Sequence, residues 1–74
     1  MDSTVEKRKM MYELYSKLRD DRGVTDYEVS KQTGISTVTL TSWKQEKYTP
    51  KADKIAKLAE YFNVDIGYFY KAVE

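Results

Sequence analysis

The sequence has no cysteine and no histidine, and only one proline and three glycines in 74 residues. Each scarcity excludes something. Without cysteine there is no disulfide framework, and without cysteine and histidine there is no Cys/His zinc site. Without histidine, neither a Ser-His-Asp nor a Cys-His nucleophile system has its base. Gly-rich phosphate loops are absent. The carboxylates of Asp20, Asp21, Glu46 and Asp53 stand without a metal-ligand spacing or a histidine beside them. No apolar run approaches the ~18–20 residues that a membrane span needs, and residues 1–10 lack the apolar stretch of a signal peptide. The expectation is therefore a binding protein: no enzyme, no cofactor, no metal, no membrane and no small-molecule site. A chain without cysteine suits a reducing compartment, so a cytoplasmic location is expected. Scarce breakers favour helices joined by short connections over a turn-rich sandwich.

What is present fits a small core. Hydrophobic residues make up 41% and aromatic residues 14%, and each large ring can bury ~150–250 Å². Basic and acidic side chains nearly cancel, leaving a net charge of +1. That total argues mildly against nucleic-acid binding, where the pI is often above ~9. The distribution argues otherwise. Residues 44–57 carry five Lys against Glu46 and Asp53, whereas residues 58–74 carry Lys71 against Glu60, Asp65 and Glu74. The chain is polarised, with its positive charge just after the midpoint.

Caps and apolar spacing predict five short helices in one all-α domain spanning residues 1–74. The first covers residues 3–22. Ser3 and Glu6 form a capping box, Met11, Leu14, Tyr15 and Leu18 form the apolar stripe, and Gly23 is the stop. The second covers 26–33, opened by the Thr25–Glu28 capping box, with Val29 inward and Thr33-Gly34 at its end. The third covers 37–46 with Ser36 as N-cap. Its β-branched content would by propensity suggest a strand, but the cap, the Leu40/Trp43 spacing and the neighbouring elements favour helix. The fourth starts at Thr49-Pro50, with Thr49 as cap and Pro50 in the first helical position. It buries Ile55, Leu58, Ala59 and Phe62 and ends at Asn63. Asp65 caps a last short helix with Ile66 and Phe69 inward.

Residues 25–49 carry the functional signal. A capped helix, a glycine turn and a second capped helix follow the logic of a helix-turn-helix, whose core spans 25–46. Val29, Ile35, Leu40 and Trp43 point inward and set the angle between the two helices. Thr37, Val38, Thr41 and Ser42 are left on the outer face of the second. A short helix facing outward can enter a major groove about 12 Å wide.

Over residues 14–70 the sequence resembles the lambda-repressor/Cro-like (Xre-type) helix-turn-helix regulators of phage and bacteria. The resemblance is carried by Leu18-Arg19-Asp20-Asp21-Arg22-Gly23-Val24-Thr25, by Val29-Ser30-Lys31-Gln32-Thr33-Gly34-Ile35-Ser36, and by Thr39-Leu40 and Trp43. It continues through Pro50, Ile55-Ala56-Lys57-Leu58-Ala59, Phe62-Asn63-Val64 and Ile66-Gly67-Tyr68-Phe69. It implies a compact four- or five-helix domain that binds double-stranded DNA as a transcription regulator, with repression as the expected role. It also implies that the recognition helix is 36–46, with Thr37, Val38, Thr41 and Ser42 at base edges and Ser36, Lys31, Lys44 and Lys47 near phosphates. In the family the C-terminal helices often carry a dimer contact, so a homodimer is expected, presenting two recognition helices about 34 Å apart.

Two departures stand out. The family often has Gln at the start of the second helix, where it clamps a phosphate; here Asp26 stands there, and a carboxylate repels a phosphate. Many relatives pair an Arg in the first helix with a Glu after the recognition helix; here the two positions hold Arg19 and Lys44. The recognition face is also read as having no Arg, Gln or Asn, the residues that make strong bidentate base contacts, so specificity is expected to be modest or to depend on DNA shape. These features motivate an alternative: a protein-interaction module that keeps the fold without useful DNA affinity. Other residues have two readings. Trp43 belongs to the core rather than to base stacking. Tyr48 packs on helix four or offers its hydroxyl to a phosphate. Tyr61, Tyr68 and Tyr70 finish the core or form an interface patch. The Glu6–Lys9 run is a solvated helix face or touches backbone phosphate. The length leaves no room for a separate ligand domain, so control is expected from another chain, proteolysis or abundance.

Overall fold

The computed structural model describes residues 3–71, and the side chains of residues 9–71. Among these residues it is all-helical: α1 Ser3–Arg22, α2 Asp26–Thr33, α3 Thr37–Lys44, α4 Ala52–Phe62 and α5 Gly67–Tyr70. The Ser3–Glu6 capping box and most of the Glu6–Lys9 run lie outside the described side chains.

Helix ends follow from local chemistry. Thr25 Oγ1 accepts from the Glu28 amide at 3.2 Å, and Ser36 Oγ accepts from the Thr39 amide at 3.1 Å. Each satisfies an amide that the first turn leaves without a partner. The Thr25 box is one-sided, because the Glu28 carboxylate makes no return bond among the described residues. At the other end of α1, Gly23 adopts φ +68°, the Gly23 amide donates to the Asp20 carbonyl and the Val24 amide to the Arg19 carbonyl. This is a Schellman stop. Asn63 ends α4 in the same way at φ +57°.

The core gathers Met11 and Tyr15 of α1, Val29 of α2, Leu40 and Trp43 of α3, Ile55, Leu58, Ala59 and Phe62 of α4, and Phe69 of α5, with Ile35 from the turn. The expected apolar stripes are therefore inward, with Leu14 and Leu18 half-buried at the margin. Ile66 is a correction: it is 37% exposed. Phe69 is the fully buried anchor of α5, and Asp65 starts the helix by accepting the Gly67 amide at 2.7 Å. Tyr61, Tyr68 and Tyr70 are half-buried against the core.

The start of α4 is a second correction. Thr49 does not cap it; its hydroxyl is buried without a hydrogen-bond partner among the described residues. Pro50 is itself buried, so this stretch packs inward rather than opening a helix. The helix starts at Ala52, with the Lys51 carbonyl accepting from Lys54 and Ile55. The third correction concerns α3, expected over 37–46. It ends at Lys44, because Glu46 takes a left-handed backbone at φ +62° and closes a Schellman motif of its own. No helix among the described residues is long and apolar enough to cross a membrane.

Candidate nucleic-acid interface

Helices α2 and α3 are joined by the three residues 34–36. Gly34 adopts φ +79°, a conformation that glycine takes without strain. Its amide donates to the Ser30 carbonyl at 2.9 Å. Thr33 stitches the same corner: its hydroxyl donates to the Val29 carbonyl at 2.7 Å and accepts from the Ile35 amide at 3.2 Å. Buried Val29 and Ile35 then fix the corner against the core.

The inner face of α3 rests on an aromatic cluster. Trp43 is stacked on Tyr15 with ring centroids 5.4 Å apart, and Tyr12 meets Trp43 edge-on, also at 5.4 Å. Tyr15 in turn touches Phe62 at 6.1 Å. Trp43 is thus a core residue, as its spacing predicts. Tyr48 is half-buried, with the Lys54 ammonium 5.5 Å from its ring centre.

The outer face of α3 is bare. Thr37, Val38 and Thr41 are exposed, with Val38 72% accessible, and Ser42 is half-buried at the edge. Lys31, Lys44 and Lys47 are exposed and form no ion pair among the described residues. Ser36 is exposed as well, but its hydroxyl already caps α3 and lies 3.0 Å from the Thr39 hydroxyl. It can donate to a phosphate only when Thr39 is the donor of that pair. Gln45 was missing from the outward set. It is exposed, three residues beyond Ser42 and four beyond Thr41, and that spacing was the available signal.

The two departures from the expected pattern meet in one contact. Arg19 Nη1 meets Asp26 Oδ1 at 2.9 Å, and the Tyr15 hydroxyl donates to the same oxygen at 2.6 Å. Arg19 also bonds Asp20, Ser16 and the Tyr12 hydroxyl. Burial opposes the guanidinium charge, but the bonds to Asp26, Tyr12 and Asp20 outweigh it and hold the group more firmly protonated than usual. Burial, followed by the bond to Asp26, pushes the Tyr15 phenol well above its ordinary range. Asp26 is therefore a matched charge tying α2 to α1, rather than a stray carboxylate at the head of α2.

A family model described as a helix-turn-helix domain matches residues 12–74. The chain belongs to this family of Xre-like helix-turn-helix regulators, whose domain binds DNA. No curated protein and no solved structure matches the chain.

Proposed function

We propose that residues 1–74 form one sequence-specific DNA-binding domain, acting in transcription as a repressor by laying α3 in the major groove. The observation that carries this reading is the division of α3. Leu40 and Trp43 are fully buried, while Thr37, Val38 and Thr41 are presented to solvent on a rigid helix. The hydroxyls can donate to or accept from base edges, and the Val38 methyls suit a thymine methyl. Thr37, Val38, Thr41 and Ser42 are assigned to bases. Lys31, Lys44, Lys47 and Ser36 are assigned to phosphates, together with backbone amides at the helix starts.

The rival reading, a protein-interaction module, rests on Asp26, the weak recognition face and the low net charge. The Arg19 partnership weakens the first motive, because the half-buried carboxylate is paired within the protein. We assign the chain binding rather than catalysis, and a homodimer through the C-terminal region.

Duplex binding measured against salt tests the proposal. Affinity should fall with a log–log slope of about −0.9 per phosphate neutralised. Lys44→Ala should lower the magnitude of that slope by about one contact and weaken all sequences alike, whereas Thr37→Ala should change sequence preference. Absence of duplex binding at low salt would overturn the reading and favour the protein-interaction module.

A further inference from the structure

The α3 face carries one group of a chemistry that the four assigned side chains lack. Thr37, Thr41 and Ser42 offer single hydroxyls, and Val38 offers methyls. Gln45 offers a primary amide, which donates and accepts in one plane.

Helix geometry places that amide on the reading face. The Gln45 backbone N–H donates to the Thr41 carbonyl at 3.0 Å, and its φ and ψ are −84° and 4°. Its Cα therefore still follows the helical path, although the helix proper ends at Lys44. At about 100° per residue, Val38, Thr41, Ser42 and Gln45 share an arc of about 100°, with Gln45 between Thr41 and Val38. Buried Leu40 and Trp43 point the other way. The left-handed turn at Glu46, closed by the Lys47 amide on the Ser42 carbonyl at 2.9 Å, fixes the chain just past Gln45. Gln45 is thus the last side chain of the face, held on a defined stop.

We propose that Gln45 is a specificity-determining residue of this domain and reads adenine. Its carboxamide oxygen would accept from adenine N6–H and its NH2 would donate to N7, the pairing for which glutamine is suited in the major groove. Val38 lies seven residues earlier, about 10 Å along the helix axis. The half-site then combines a thymine under Val38 with a separate adenine under Gln45. This inference rests on the major-groove reading proposed above.

The test is selection of bound sequences from a randomised duplex library by the full chain, at one fixed salt concentration. Wild type is compared with Gln45→Ala, Gln45→Glu and, as a phosphate control, Lys47→Ala. Gln45 is exposed, so the variants should fold, and thermal unfolding verifies this. Wild type should enrich adenine at one position by about fivefold or more, since a good bidentate pair discriminates by ~1–3 kcal/mol. Gln45→Ala should lose the enrichment at that position and keep the others. Gln45→Glu should shift it toward cytosine, because a carboxylate accepts from N4–H2 and repels N7. Lys47→Ala should weaken all sequences without changing the preference. Unchanged adenine enrichment in Gln45→Ala overturns the inference while leaving DNA binding intact, as does a wild-type pool without adenine preference. Failure of wild type to bind any duplex overturns the functional reading beneath it, and is a separate result.

Discussion

Arg19 of α1 holds Asp26 at the head of α2, with Nη1 and Oδ1 2.9 Å apart, and the Tyr15 hydroxyl shares the same oxygen at 2.6 Å. Tyr15 is also the ring on which Trp43 of α3 is stacked. One carboxylate thus joins the long first helix, the positioning helix and the back of the proposed reading helix.

Replacing that carboxylate should cost stability rather than relieve a charge. In Asp26→Ala the Arg19 side chain, 20% exposed, loses its interhelical partner, and the Tyr15 hydroxyl loses its acceptor. A loss of about 2 kcal/mol is expected, the scale of hydrogen bonds to charged groups. Asp26→Asn keeps an acceptor for Tyr15 and should fall between the two. Urea midpoints of the three proteins check the order.

The same contact predicts a loss of stability at alkaline pH. Burial and the Asp26 bond raise the Tyr15 phenol above its ordinary value of 10.0 in the folded protein. Above that pH the unfolded chain releases the proton and the folded chain retains it. Stability from this group is complete below pH ~10 and declines as pH rises further, by up to ~1.4 kcal/mol per unit. Tyr15→Phe should be less stable at pH 7 but should lack this component of the decline. Thermal unfolding of both proteins from pH 7 to 11 measures the difference.

Glu46 offers the opposite kind of change. It is exposed and takes φ +62°, a backbone that L-residues with a Cβ adopt at a cost of ~1–2 kcal/mol. Glu46→Gly should raise stability by about 1 kcal/mol, the strain relief being partly offset by the greater freedom of the unfolded chain. An unchanged or lower denaturation midpoint would show that the carboxylate makes a compensating contribution.

Val38 and Leu40 are two residues apart and should respond in opposite ways. Leu40 is fully buried, so Leu40→Ala should cost about 2–5 kcal/mol. Val38 is 72% exposed, so Val38→Ala should stay within about 0.5 kcal/mol of wild type while altering duplex preference at a single position. Chemical denaturation and duplex binding, run on both variants, separate folding from reading.

The helices were legible because their signals are local. The hydroxyls of Thr25 and Ser36 precede their helices, Gly23, Gly34 and Asn63 follow theirs, and the apolar spacing between is that of a helix. The misreadings arose where tertiary demands outweighed local preference. Pro50 suits a first helical turn, but the core takes its ring and α4 begins two residues later. Glu46 has no intrinsic leaning to a left-handed backbone, so nothing in its identity announced the end of α3. The Arg19–Asp26 pair links positions seven apart across a helix boundary, where helical spacing rules do not apply. The outer residues of α3 were legible from periodicity up to Ser42, and the same periodicity carried one step further reaches Gln45.

On the proposed reading, the aromatic seat of α3 makes the domain re-addressable. Leu40 and Trp43 fasten the helix through side chains that never reach the outer face. Residues 37, 38, 41 and 45 can therefore be exchanged as a set without opening a cavity or unpairing a buried group. A library varied at these four positions would sample many addresses on one unaltered scaffold.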